Sequence, residues 1–514
     1  MKMVKSLVLG SAAALLAVGG AQAADLPVKA KAVEYVRVCS LYGAGFWYIP
    51  GTDTCIKIGG YLRVDTTFNG EPYDEPAWRG DEGQHNRYQD YFASRSRMAL
   101  TVDTRTATEY GVVRTFGQLD WSSADPSGSF RETPTGAFGN QVNVEYLFLQ
   151  FAGFTFGRSS SAYATPWNGY PGNNTSFLVG GEDTVTGTNN IQYTAQFGNG
   201  VSASIGLDDP SLFNRAQVIN FATGGTSLAT LNAIGQPGGS SYAGVHAPDI
   251  VGNIRVDQAW GLFQISGALH EVNASYNNLT QSAANNFSEI SGHPEDKWGG
   301  SVMAALQIKN LPTGPGDDIK MDASWSKGDI RNTIGTSGGS IPAFAMFGNS
   351  GTAYQSLGFG VASDGVFLPV TAGGDGSLHL TEGFGFRGAF NHNWDPYWSS
   401  SLFGGFTAVR YDGTAKAEFC AAYAASNPGF LAAAAAGTAS CNPDFSVSQV
   451  GVVTRWTPVK NLTFSVEGMW THLDQKFSGS AVLTGATLAP KPTALYEFKD
   501  QDTASLNVRV QRNF

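Results

Sequence analysis

The sequence predicts an all-β fold: a 16-stranded antiparallel β-barrel that crosses a membrane, with short turns at one end and long loops at the other. Three observations predict it. Apolar and polar residues alternate with a period of two along nearly the whole chain, the mark of strands with one greasy face and one wet face. The connections between these runs switch regularly between short and long. The composition holds 64 Gly, 12% aromatic and only 14% charged residues. Strands and turns favour that balance over helices.

The first 23 residues read as an export signal. Lys2 and Lys5 precede the apolar run Leu7 to Val18, and Ala21-Gln22-Ala23 supplies a small-residue cleavage site. Residues 24–514 then form the barrel domain, with 24–54 leading into the first strand. From Ile56 one parity reads Ile56, Ile58, Gly60, Leu62, Val64 and the other Lys57, Gly59, Tyr61, Arg63, Asp65. Further runs follow at 90–104, 109–121, 142–151, 154–158, 189–197, 201–208, 249–257, 262–271, 297–309, 318–328, 379–393, 399–410, 445–457, 462–473 and 502–514. The pair around Gly198-Asn199-Gly200 is a hairpin signal, and 105–108 reads as a short link. The long connections are 69–89, 122–141, 159–188, 209–248, 272–296, 329–378, 411–444 and 474–501.

Placing every long loop at one end suits an outer-membrane barrel, whose short turns face the periplasm. In lipid only a closed sheet satisfies every backbone group, so the outward parity must be apolar while the inward one meets water. Trp298, Trp394, Trp398, Trp456 and Trp470, near strand ends, suit the interfacial girdles. No later stretch reaches the roughly 18 apolar residues of a spanning helix. The net charge of −10 argues against a nucleic-acid partner.

Four cysteines fit an oxidising compartment, and local pairing, Cys39 with Cys55 and Cys420 with Cys441, is the simplest of three connectivities. No Cys-x-x-Cys is present. Gly335-Thr336-Ser337-Gly338-Gly339 has nucleophile-elbow spacing but sits in a Gly/Ser loop. Gly383-Phe384-Gly385-Phe386-Arg387-Gly388 has dinucleotide-fingerprint spacing, yet it lies within a strand, where glycine admits close packing. His270, His392 and His472 are scattered. No residue set points to catalysis, and no cofactor or metal is expected.

Several segments resemble the alphaproteobacterial general porins: Val33-Glu34-Tyr35-Val36-Arg37-Val38-Cys39, Gly43-Ala44-Gly45-Phe46, Tyr48-Ile49-Pro50-Gly51-Thr52 with Cys55, Gly60-Tyr61-Leu62-Arg63, Thr108-Glu109-Tyr110-Gly111 and Trp456-Thr457-Pro458-Val459-Lys460-Asn461-Leu462. The terminal Phe514 looks like the aromatic end that such barrels present to their assembly machinery. The resemblance implies a homotrimer with one loop bent into each lumen. It places that loop at 159–188. The loops 209–248, 329–378 and 411–444 look long for the family.

The functional residues expected are therefore lumen charges. Arg63, Arg95, Arg97 and Arg114 fall on the polar parity of the first three strands and line one wall. Glu182 and Asp183, the acids of the loop 159–188, stand as their counterparts across the lumen. Opposed charges set up a transverse field that sorts solutes. The expectation is passive diffusion of small hydrophilic solutes and ions, with outer-membrane lipid around the barrel. A barrel acting mainly as adhesin or anchor through its long loops is the alternative.

Overall fold

The computed structural model describes residues 37–125, 141–182, 186–211, 215–222, 240–278, 281–282, 285–286, 289–335, 343–484 and 491–514. The leader 1–23 and Asp183 lie outside them. Sixteen long strands follow one another around a closed antiparallel sheet: β1 Thr54–Phe68, β2 Phe92–Thr108, β3 Gly111–Asp125, β4 Gln141–Phe151, β5 Phe154–Ser159, β6 Thr188–Gly198, β7 Val201–Asp208, β8 Asp249–Gln258, β9 Gly261–Val272, β10 Lys297–Lys309, β11 Asp318–Lys327, β12 Glu382–Asn393, β13 Trp398–Arg410, β14 Phe445–Val459, β15 Leu462–Gln475 and β16 Gln501–Asn513. β16 closes the barrel on β1, with Tyr61 opposite Asn513 and Phe68 opposite Leu506. Phe514 extends the seam, exchanging both backbone bonds with Gly60. Only glycine fits there, because a Cβ on Gly60 (φ 153°) would stand 2.0 Å from the Ala99 carbonyl oxygen.

The alternation sorts as a bilayer requires. Ile58, Leu62 and Val64 point outward and stay exposed, whereas Asp65, Arg95 and Arg97 point inward and are buried. Outward tryptophans mark both rims. Trp121, Trp298, Trp325 and Trp470 lie toward the long-loop end, and Trp260, Trp394, Trp398 and Trp456 toward the short-turn end. Two turns carry positive φ at both central residues, Ala152-Gly153 and Asn199-Gly200, the conformation that matches strand twist in a two-residue hairpin.

Several strand ends depart from expectation, two of them informatively. Residues 105–108 are strand, not link: Thr106, Ala107 and Thr108 pair with Val113, Val112 and Gly111, so the turn is Glu109–Tyr110. The run expected from 379 begins at Glu382, because His379–Leu380 leave the barrel to pair with Gly365–Val366.

The chain before β1 folds back on itself. Cys39 is bonded to Cys55, and Trp47–Tyr48 pair with Ile56 and Cys55. Phe46 and the bridge form a small core that Lys57 and Arg105 cover from the lumen wall.

At the opposite end the long loops build a cap. A five-stranded sheet (Ala343–Gly348, Gln355–Val361, Ala494–Phe498, Ser478–Leu483, Ala439–Ser440) and a three-stranded one (Val218–Asn220, Gly365–Phe367, His379–Leu380) draw strands from separate loops. Two helices join them. α1, Gly413–Ser426, is N-capped by Asp412, whose side chain accepts from the Ala415 N–H at 2.8 Å; α2, Pro428–Ala435, starts on proline. Cys420 on α1 is bonded to Cys441. Trp78, Ile219, Phe344, Phe359, Tyr423, Phe430 and Phe477 meet in one core, which Phe177 and Val179 join from inside the barrel.

Candidate pore constriction

The segment between β5 and β6 does not stand above the barrel. It runs inward and across the lumen, held by side chains of the inner wall. Tyr163 is buried among Val251, Ala268, Met303 and Ala305, while Asn253 and Gln264 donate to the carbonyls of Ala162 and Ala164 at 2.6 Å each. Farther on, Asn391 donates to Pro171 O at 3.0 Å and Arg455 to Gly172 O at 2.5 Å. The Thr175 N–H donates to Glu467 at 2.9 Å, and Asn174 N–H donates to the same carboxylate. Leu178 then inserts among Ala389, Phe403, Val453 and Met469, and the Val179 N–H donates to Gln449 at 2.8 Å. Every anchoring group lies on the inward parity of β8 to β15. Polar wall side chains thus satisfy backbone groups of the loop that would otherwise be buried without partners.

Gly180-Gly181 lets the backbone lie flat on β12. A Cβ on Gly180 would meet Phe386 O at 2.3 Å, and one on Gly181 would meet Asp322 Oδ1 at 2.4 Å and Arg387 Nε at 2.7 Å. Glu182 follows directly and acts electrostatically on Arg387. It therefore sits by the β11–β12 wall, where Arg387 is fully buried on Asp322 at 3.1 Å.

The four predicted arginines share one wall and differ in surroundings. Arg63 and Arg97 are direct cross-strand neighbours. Arg95 is buried, 2.7 Å from Asp65 and 3.5 Å from Asp74. Arg97 is buried against Asp120 at 3.1 Å and Glu145 at 3.8 Å. Arg114 lies nearer the short-turn end, half-buried, on Asp103 at 3.0 Å. Arg63 donates to Gln511 at 2.8 Å, with no carboxylate oxygen within 4.0 Å among the described residues.

Sequence reasoning missed the residues that complete this wall. Arg509 on β16 binds Asp65 and lies 2.5 Å from Asp74, closing a four-membered network with Arg95. Arg455 on β14 and Glu467 on β15 hold the loop itself. All three occupy inward parity, so alternation identifies them as lumen residues. Asp74 had no such signal, since it enters from the long loop after β1.

Between the loop and β6 to β9 lies a cavity of about 610 Å³, bordered by Ser160, Thr165, Asn168, Gln192, Asn253 and Arg255. Polar side chains predominate in the lining, beside Ala162, Ala164 and Pro166, as suits a water-filled passage.

A family described as a porin subfamily matches residues 25–507 of this chain. The chain is 35% identical over 270 residues to Porin Omp2b of Brucella canis, and 35% over 273 residues to Porin Omp2b of Brucella melitensis. Each alignment covers 50% of this chain and 63% of the relative, so the chain spans 63% of the length of these curated relatives. Among solved structures, the outer membrane channel DcaP of Acinetobacter baumannii superposes with a TM-score of 0.55 at 15% identity, over 91% of this chain and 99% of that one. That likeness is one of fold.

Proposed function

The chain belongs to the porin subfamily and lies in the bacterial outer membrane, and we propose that it acts there as a passive diffusion channel for small hydrophilic solutes and ions. The observation that carries this reading is the loop segment 160–182, folded across a largely polar lumen and fixed to its wall. A loop so placed narrows a passage without needing any reacting group, which fits a channel rather than an enzyme. The chain assembles as a homotrimer in this reading, as the resemblance to the general porins implies, and the exposed Phe514 ring at the seam suits recognition by the barrel assembly machinery.

Arg63, Arg95, Arg97 and Arg114 set the positive wall in this reading, with Arg63 the strongest contributor because its charge is not cancelled at close range. Glu182 and Asp183 set the opposing charge. The test is reversal potential across a salt gradient. Replacing the four arginines with Ser shifts preference toward cations, and neutralising Glu182 and Asp183 shifts it toward anions. Arg63→Ser alone moves it further than Arg97→Ser alone. A reversal potential that neither set moves overturns the assignment of these residues to the narrowest zone.

A further inference from the structure

The cap holds a cluster of ligating side chains that diffusion through the barrel does not use. One ligand atom each from Asp375, His379 and Glu418 lies within 4.8 Å of the other two. His379 is held from both sides: Nδ1 is 3.1 Å from Asp412 Oδ2, and Nε2 is 3.1 Å from Asp375 Oδ2. Asp412 is itself fixed, since its other oxygen caps α1. Glu418, on α1, accepts from the Asp375 N–H at Oε1, 2.9 Å away, and the Leu368 N–H faces the same carboxylate. Its Oε2 is buried without a hydrogen-bond partner, in a residue only 6% exposed. Lys416, the neighbouring cation on α1, is engaged by Asp444 at 2.6 Å.

A buried carboxylate oxygen without a hydrogen-bond partner, in a carboxylate that lies within 4.8 Å of ligand atoms of a histidine and a second carboxylate, is costly unless a cation meets it. We infer that Asp375, His379 and Glu418 bind a first-row divalent cation of the zinc class, with Asp412 fixing His379 so that Nε2 faces the metal. One imidazole and two carboxylates, with room for water, suit such an ion. Calcium takes six to eight oxygens and has no use for the ring nitrogen. The Asp412–His379–metal relay is the usual way a carboxylate orients a metal-binding imidazole. The bound ion clamps the segment 368–380 to α1 and so stiffens the cap. A second cluster, His246, Glu271 and Asp296, lacks these features: His246 and Asp296 are exposed, and His246 Nδ1 already accepts from Asn273.

Isothermal titration of the full chain in detergent with Zn²⁺ tests this, with Ca²⁺ as comparator. The expected result is one Zn²⁺ per chain and no Ca²⁺ binding at the same concentrations. Glu418→Gln and His379→Gln abolish binding, and Asp412→Asn, which keeps a capping side chain, weakens it about 10- to 100-fold. His246→Ala leaves it unchanged. X-ray absorption of the Zn²⁺-loaded wild type needs no variant to fold, and should show only nitrogen and oxygen ligands near roughly 2.0–2.2 Å with a single imidazole. Absence of Zn²⁺ binding, binding that survives Glu418→Gln or His379→Gln, loss in His246→Ala, or a shell with two imidazoles overturns the inference.

Discussion

Replacing Leu178 with alanine separates the loop's apolar anchor from its polar ones. Leu178 is fully buried between β12 and β15, packed on Ala389, Phe403, Val453 and Met469. Truncating a buried leucine costs about 3–5 kcal/mol, the transfer term plus the cavity left behind. The neighbouring tethers remain: Gln449 on the Val179 N–H, Glu467 on the Thr175 N–H and Arg455 on Gly172 O. Those hydrogen bonds contribute roughly 1 kcal/mol each, more where a charge is involved. The loop should therefore stay in the lumen but detach locally at least about a hundredfold more often, since 1.4 kcal/mol is a factor of ten. Single-channel recording reads this directly as greater open-channel noise and brief conductance excursions. The barrel ladder does not involve Leu178, so the mean number of inserted channels should not change. Leu178→Met, which conserves volume, should cost under about 1.5 kcal/mol and leave the trace quiet. Equal noise in wild type and Leu178→Ala would refute the claim that this anchor holds the constriction.

Peptide mapping without reductant should recover Cys39 linked to Cys55 and Cys420 linked to Cys441, and replacing the second pair with alanine should loosen the cap by about 3 kcal/mol, seen as faster proteolysis of 411–444 with an intact barrel. Leu62→Arg or Val508→Arg, on the lipid face, should impair folding into bilayers by about 2–4 kcal/mol, whereas Gln118→Arg, on the lumen face, should mainly alter conductance. Burial beside Asp90 and Asp81 raises the Glu82 carboxyl to about 8. A raised acid favours its protonated form in the fold, so its contribution is full below the usual carboxylate range and lost as pH rises through about 8. Amide protection in the loop 69–91, with the base-catalysed intrinsic rate divided out, should accordingly fall between pH 5 and pH 9, and Glu82→Gln should flatten that dependence.

The barrel was legible because lipid leaves no alternative to period two. Leu62 and Val64 had to face outward and Arg63 and Asp65 inward whatever the loops did, and the same reasoning placed sixteen strands. Pairing inside the lumen was only half legible. Parity put Arg95 on the inner wall, but its partner Asp74 arrives from a loop, and Arg509 arrives from the other end of the chain. Glu182 settles beside Arg387 because Gly180-Gly181 can lie on β12, a fit that no spacing announces. The cap was illegible for a related reason. Trp78, Ile219, Phe344, Phe430 and Phe477 come from five separate loops, so none shows a local period that reveals its neighbours. α2 reads in sequence only as a short alanine run behind Pro428.

The proposed function requires the lumen to conduct past its inward-folded loop. Planar-bilayer recording of the purified full chain tests it most directly. Ohmic ion conductance that appears in three equal steps for each inserted trimer is expected. Barrels that insert into the bilayer and pass no current would contradict it, and would identify the cap and long loops as the working surface of an anchor or adhesin.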